Sequence, residues 1–322
     1  MPPEIAVDGI DGNQREFCFV RQGMLGTVVD LRIRASQEAE AAAADRFVAG
    51  QITRLEAVFS AFDPKSELCR WRRGECRQPS GEFCRLMGHA LAWHRRTGGA
   101  FNPLTGELTA MWHEAERSGR PPDSRDLERV ATAIAAPRFE MVDGVPVPTG
   151  DCARLNVNAI AKGFIVDQVV SAAGMEFDVE GMCLNAGGDV LHQGGRGQAV
   201  GIENPLRPYD NVPPLTVIHL QNEAVATSGP SRRGFEIAGQ RFSHVIDPRT
   251  GLPASGPAGV SVVADTAMTA DVAATVACVL GTEEALDWLA ATDELAGLVI
   301  DGDANAVADP TWERRFGPVN ST

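Results

Sequence analysis

The sequence predicts an α+β protein with mixed or antiparallel sheets and packed helices, and three observations support this class. Stretches with the apolar spacing of helices occur in both halves of the chain. Short runs rich in β-branched residues, separated by turns, are concentrated in the second half. The two kinds of element do not alternate as regular βαβ units, and this mixture is typical of an α+β architecture.

The first half is predicted to contain one strand and two helices. Residues 26–34 alternate apolar and polar side chains, as in a strand with one buried face. A helix is expected to begin near Ser36, because the apolar positions after it follow helical spacing. A second amphipathic helix is predicted over residues 82–96, ended by two glycines. The polar, proline-bearing segments 117–126 and 142–150 are expected to be surface connections.

The second half is predicted to contain short strands and two more helices. The helices are expected over residues 158–173 and 266–280. The strand candidates are residues 182–185, 199–202, 215–220, 223–227 and 259–263.

Composition and charge restrict the classes of function. The 322 residues are 44% hydrophobic and 22% charged, which is ordinary for a soluble globular protein that buries a large core. The net charge of -14 argues against a non-specific nucleic-acid binder, because neutralising phosphates requires an excess of lysine and arginine. An anionic nucleotide would therefore have to be held by local groups or by a metal ion.

The cysteines and the amino terminus give an indication of the cellular compartment in which the protein works. The seven cysteines include no CxxC pair and are predicted to be reduced thiols. The amino terminus lacks the basic and apolar regions of a signal peptide, and no run approaches the ~18 apolar residues of a membrane span. The chain as given is therefore expected to be cytoplasmic and without a membrane span, although a chain whose leader had been removed would look the same.

A candidate metal site lies in the predicted helix near the carboxyl terminus. Asp271 and Thr275 are four residues apart, so both oxygen-bearing side chains project from one face. Such ligands suit Mg²⁺, which takes few protein carboxylates and completes its shell with water and phosphate. The alternative is a solvated face or a hydroxyl bonded to its own helix. The apolar residues around Asp271 favour burial, and a buried carboxylate needs a partner.

Three other segments could contact a ligand. Residues 156–163 (NVNAIAKG) lead into a helix whose amino terminus favours phosphate, and Lys162 adds a cation, although a lysine in the first turn of a helix is usually a solvated side chain. Residues 185–189 (NAGGD) could bring backbone amides to a ligand, or form only a tight turn. His244 could bind phosphate or transfer a proton, although a lone histidine is commonly structural. The sequence has no Gly-x-Ser-x-Gly elbow, Walker loop or Gly-x-Gly-x-x-Gly.

Taken in order, these segments resemble the ApbE family of FAD:protein FMN transferases. The longest match runs over residues 224–281 and includes AVATSG, FEIAGQRFSH, IDPRTGLP and VSVVADTAMTAD. Upstream, NAIAKG, LNAGGD, SAFDPKSEL and GAFNP are similar to other blocks of the family. The resemblance spans roughly residues 26–281 and implies an ApbE-like domain over residues 24–310. An amino-terminal extension (1–23) and a carboxyl-terminal tail (311–322) would flank it.

The resemblance implies the reaction and its participants. The fold would have two closely joined lobes with FAD in the cleft between them. The enzyme would use Mg²⁺ to transfer FMN from FAD to a serine or threonine hydroxyl of an acceptor flavoprotein, and would release AMP. Many relatives work in the periplasm or cell envelope, which is the alternative compartment. An FAD pyrophosphatase and a non-catalytic FAD-binding or delivery protein remain alternative functions.

The resemblance also assigns residues. Asp271, Thr275 and the main-chain carbonyl of Ala159 would hold Mg²⁺, and Asp271, His244 and Lys162 would be catalytic. The FAD contacts would be Leu25, Phe62, Ala100, Phe101, Asn102, Asn156, Lys162, Asn185, Ala186, Gly187, Gly188, Ser228 and His244. Four of these positions depart from the family pattern. Leu25 stands for methionine, Phe62 for tyrosine, and both Asn102 and Asn156 for aspartate.

Overall fold

The computed structural model describes residues 6–9, 15–207, 212–230, 234–303 and 305–319. Within these ranges the strands are β1 Ala6–Gly9, β2 Arg15–Met24, β3 Thr27–Ala35, β4 Phe139–Val142, β5 Val145–Pro148, β6 Gly181–Ala186, β7 Asp189–Gly194, β8 Gln198–Ile202, β9 Thr216–Leu220, β10 Ala224–Ser228, β11 Gly234–Ile237, β12 Gln240–Ser243, β13 Gly259–Ala264, β14 Ala296–Ile300 and β15 Ala306–Ala308. The helices are α1 Glu38–Phe59, α2 Glu67–Arg72, α3 Gly81–Arg96, α4 Gly106–Ser118, α5 Ser124–Ile134, α6 Asn158–Glu176, α7 Ala267–Leu280, α8 Thr282–Ala290 and α9 Pro310–Phe316.

A nine-stranded sheet forms the centre of the molecule. Its order is β1-β2-β3-β6-β7-β10-β13-β14-β15, and every neighbouring pair is antiparallel. Three two-stranded sheets, β4-β5, β8-β9 and β11-β12, lie outside it. This arrangement confirms the predicted α+β class.

Both faces of the central sheet are buried, and alternate residues of a strand serve opposite faces. Helices α1, α6 and α7 cover one face, where Val262 of β13 joins the larger core. The next residue, Val263, joins a smaller core on the other face with Trp312 of α9 and residues of β8 and β9. Because both faces are buried, β13 is apolar along most of its length instead of alternating. None of the helices in the described ranges is long and apolar enough to cross a membrane.

The predicted helices and strands agree with the structure where their apolar patterns are long. Helix α1 begins close to the predicted residue, and α3, α6 and α7 begin and end close to theirs. Strands β3, β6, β8, β9, β10 and β13 match the strand candidates. Strand β2 was not predicted, and the proposed boundary at residue 24 falls at its end. The domain boundaries stay predictions.

The two expected surface connections contain regular structure. Residues 117–126 include the end of α4 and the start of α5, and the side chain of Asp123 caps α5 by accepting from the backbone N–H of Arg125. Residues 142–150 include the turn and second strand of the β4-β5 hairpin. Asp143 and Gly144 both have positive φ there, as a tight hairpin turn requires. The prediction of turns in these segments was correct, but the helices and the hairpin strands that these turns connect were not predicted.

Candidate active site

One open cavity of about 2570 Å³ collects nearly all the predicted site residues. Its lining includes Leu25, Phe62, Ala100, Phe101, Asn102, Asn156, Ala159, Lys162, Asn185, Gly187, Gly188, Ser228, His244, Asp271 and Thr275. Ala186 does not line the cavity, because its side chain is fully buried in the core. Residues that are as far apart in sequence as Leu25 and Thr275 therefore meet in one place.

The carboxylate of Asp271 lies where α6 and α7 cross. Its Oδ2 accepts a hydrogen bond from the backbone N–H of Gly163 at 3.3 Å, and the side chain is buried. In a regular α-helix that N–H would bond to the carbonyl of Ala159. The contact therefore places the carboxylate beside the first turn of α6, which carries the Ala159 carbonyl that was predicted as a metal ligand.

Thr275 lies one turn after Asp271 on α7 and also faces the cavity. Its Oγ1 is 3.3 Å from Oγ of Ser228, the last residue of β10. The side chains of Asp271 and Thr275 therefore project toward one space, as their spacing predicted.

A second buried carboxylate, Asp189, adjoins Asp271. Asp189 begins β7 and is only 1% exposed. Its Oδ2 is 2.6 Å from Nζ of Lys162, and its carboxyl group is close enough to Asp271 to share a hydrogen bond. Burial and the neighbouring Asp271 raise the pKa of Asp189 well above its usual range, and Lys162 offsets only part of this. The sequence pattern had assigned no role to Asp189, although this carboxylate directly follows the two glycines of the candidate ligand-binding turn.

A third acidic side chain, Asp167 of α6, fixes the start of α7. It accepts hydrogen bonds from the backbone N–H groups of Ala267 and Met268 at 2.7 and 2.9 Å. Burial, with a smaller contribution from Asp271, raises the pKa of Asp167 to about 6 despite these bonds. Asp167 thus holds in place the helix that carries the candidate metal ligands.

The glycine turn between β6 and β7 passes directly along the cavity. Asn185 accepts a hydrogen bond from the backbone N–H of Gly188 at 3.0 Å, which closes the turn. Gly187 has a φ of +65°, and a Cβ atom there would lie 2.3 Å from Oγ1 of Thr27. Only glycine fits this position, so the backbone itself forms the cavity wall.

The other predicted contacts differ in how much of their side chain is available. Phe62 is 85% exposed at the cavity, and His244 is also exposed there. Asn102 is buried, and its amide group is used internally, donating to the carbonyl of Ile134 and accepting from the N–H of Leu104. The side chain of Asn156 accepts a hydrogen bond from the N–H of Asn158 and forms a turn just before α6. All of these positions stay predictions as FAD contacts.

The donor set suits a divalent cation that prefers oxygen ligands. Two neighbouring buried carboxyl groups need a proton or a cation between them. Asp271 and Thr275 add a carboxylate and a hydroxyl to the carbonyl of Ala159, a set that Mg²⁺ accepts. Across the described ranges no cluster of three or more His, Cys, Asp or Glu side chains is arranged to hold a metal. Water and phosphate would therefore have to complete the shell.

The Asp271 carboxylate, the Lys162 ammonium group and the glycine turn line one open cavity, a set of groups that suits a cation together with an anionic ligand. The chain belongs to the ApbE family, whose family model matches residues 25–299. A relative from Rhodobacter capsulatus named FAD:protein FMN transferase is 28% identical over 313 residues, covering 92% of this chain. One of the same name from Haemophilus influenzae is 29% identical over 255 residues, covering 72% of this chain and 71% of its own length.

The chain spans only 58% of the length of the Rhodobacter capsulatus relative. Its fold matches solved structures over nearly their whole length. The ApbE protein of Thermotoga maritima superposes with a TM-score of 0.80 at 25% identity, covering 94% of this chain and 99% of that structure. The flavinyl transferase ApbE of Pseudomonas stutzeri gives a TM-score of 0.77 at 20% identity, covering 98% of both chains. This second likeness supports the fold alone.

Proposed function

We propose that this chain transfers FMN from FAD to a serine or threonine hydroxyl of an acceptor protein and releases AMP. The observation that carries the proposal is the meeting of Asp271, Thr275 and Lys162 in one cavity of an ApbE-family chain. The names of the relatives support the same activity. The acceptor is a protein whose modifiable hydroxyl reaches this open cavity.

The reaction exchanges one phosphorus–oxygen bond for another. The acceptor oxygen forms a bond to the phosphorus of the FMN half, the bond to the bridging oxygen breaks, and AMP leaves with that electron pair. Mg²⁺ held by Asp271, Thr275 and the carbonyl of Ala159 would withdraw negative charge from the diphosphate oxygens. The hydroxyl proton must also leave.

The side chains around the cavity have complementary tasks in this scheme. Lys162 presents an ammonium group beside the carboxylate pair, where diphosphate oxygens would lie. The turn at Gly187 and Gly188 lets the ligand approach the backbone closely. His244 is exposed at the cavity, so we assign to it the transfer of the acceptor proton.

The variant Asp271→Asn tests the proposal. Wild-type protein incubated with FAD, Mg²⁺ and a candidate acceptor is expected to add FMN minus water to the acceptor mass and to release AMP. Asp271→Asn keeps the shape and removes the charge, and should lower the rate by about 100-fold or more. Asp293→Asn is the matched control, because Asp293 is exposed and does not line the cavity.

Three results would contradict the proposal. Full activity of Asp271→Asn would exclude a metal held by this carboxylate. Release of free FMN and AMP with an unchanged acceptor mass would identify a pyrophosphatase, in which water replaces the hydroxyl. Binding of FAD by the wild type without any cleavage would identify a binding or delivery protein.

A further inference from the structure

Two arginines to which the proposed reaction assigns no role also line this cavity. Arg72 ends the short helix α2, and Arg154 lies in the loop that leads into α6. Arg154 is five residues before Ala159, so their Cα atoms are at most about 18 Å apart. Both arginines therefore line the cavity that also contains Asp271 and Ala159.

Neither arginine has an acidic partner within the part of the chain that the structure describes. The guanidinium of Arg72 donates weakly to the carbonyl of Ala61 at 3.4 Å and contacts Sγ of Cys69 at 3.8 Å. Its Nε is buried and makes no hydrogen bond to the described residues. By contrast, Arg138 lines the same cavity and pairs with Glu107 at 2.6 Å. Unlike Arg138, Arg72 therefore has no carboxylate among the described residues to balance its charge.

The burial and the surroundings of Arg72 indicate that its positive charge is not balanced by an anion in the free protein. Burial lowers the pKa of Arg72, and the nearby positive charge of Arg154 lowers it further, while Cys69 opposes both. A half-buried guanidinium beside a like charge is unfavourable unless an anion offsets it. The net charge of -14 offers many carboxylates to pair with, yet none of the described ones contacts Arg72. An anionic ligand would complete the arrangement.

The surroundings of Arg72 favour a nucleotide phosphate over other anions. Phe62 adjoins Ala61, whose carbonyl Arg72 contacts, and its ring is 85% exposed at the cavity. Guanidinium groups bind phosphate oxygens in a forked geometry, and an exposed aromatic ring offers a surface on which a base stacks. This pairing of groups fits a nucleoside monophosphate, with both its phosphate and its base.

We propose that Arg72 and Arg154 bind the phosphate that leaves as AMP, an inference that rests on the proposed transferase function. In the diphosphate this phosphate carries one negative charge, and it approaches two charges as the bridging bond breaks. Two guanidinium groups that have no acidic partner among the described residues stabilise that added charge, and their effect is largest on the product side. Arg72 and Arg154 are thus specificity residues for the leaving half of the substrate.

Calorimetric titration with AMP and with adenosine tests the inference without turnover. Arg72→Ala and Arg154→Ala should each weaken AMP binding about 10-fold or more, because each removes a charged hydrogen bond. Binding of adenosine should stay within about 2-fold of the wild type, since it lacks the phosphate. Arg73→Ala is the matched control, because Arg73 is the next residue, is exposed, pairs with Glu75 and does not line the cavity.

The outcomes separate this inference from the transferase proposal. Unchanged AMP affinity in both variants would overturn the inference, and a raised KM for the acceptor protein alone would assign the arginines to acceptor docking instead. Arg154 is exposed, so its variant answers the question even if Arg72→Ala does not fold. If AMP binding depends on the arginines but the wild type transfers no FMN, the inference stands and the transferase proposal fails.

Discussion

Asp189 and Lys162 form a mostly buried ion pair. The nearby carboxyl group of Asp271 leaves the charges of this pair unbalanced. The Asp189 side chain is 2% exposed and that of Lys162 is 27% exposed. Asp271 adds a second negative charge to this pair, so a single ammonium faces two carboxyl groups. At the scale of single residues, charge compensation is therefore incomplete until a cation or a proton is added.

Removing Lys162 should expose this imbalance. Lys162→Met is expected to lower the free energy of unfolding by about 2 kcal/mol, less than the ~3–5 of a fully buried pair because the lysine is partly exposed. Urea denaturation measures it. Adding Asp189→Asn to Lys162→Met should recover part of the loss, since the unpaired charge is removed. Arg117→Ala, from an exposed pair with Glu114, should change stability by no more than about 0.5 kcal/mol. A Lys162→Met protein as stable as the wild type would contradict this account.

The close crossing of α6 and α7 is the feature of the elements that sets the candidate metal site. At Gly163 a Cβ atom would lie 2.4 Å from the carbonyl oxygen of Ala267 and 2.6 Å from Cα of Met268. Those neighbours are backbone atoms at the start of α7, which Asp167 also holds. Glycine therefore lets the two helices approach closely enough for the N–H of Gly163 to reach Asp271.

Gly163→Ala should separate the two helices. We expect a loss of about 2 kcal/mol in the free energy of unfolding, because backbone overlap outweighs the gain of ~1 kcal/mol in helix propensity. FMN transfer should fall as well, since Asp271 moves away from Ala159. Gly174→Ala in the same helix is the control, because its Cβ would meet only the side chain of Gln193 at 3.6 Å or more. Thermal melts in which both variants matched the wild type would show that the crossing tolerates a methyl group.

At the scale of the whole molecule, the cavity is lined by segments from most of the chain, from Val20 in β2 to Val279 in α7. A ligand that contacts these segments together binds only the folded chain. Its binding energy therefore adds to global stability and does not order only one loop.

FAD should stabilise the protein in a metal-dependent manner. At a free concentration 100 times its Kd in Mg²⁺, the expected gain is ~2.7 kcal/mol, seen as a rise in Tm. Chelation with EDTA should remove most of the gain, because the diphosphate would then face the Asp271 carboxylate without a cation. Riboflavin, which lacks phosphate, should give a smaller shift that EDTA does not change. Equal shifts for FAD in EDTA and in Mg²⁺ would argue against a metal between ligand and carboxylates.

The sequence alone determined the elements with long apolar patterns and the family, because periodicity and ordered motifs are local properties of the chain. It indicated that Asp271 and Thr275 share a helix face for the same reason. Only the tertiary structure decided that Asp189 adjoins Asp271, that no acidic residue in the described part of the chain pairs with Arg72 or Arg154, and that Ala186 lies away from the cavity. Those facts depend on which distant segments pack together and on how deeply each charge is buried, and no local pattern of residues encodes either.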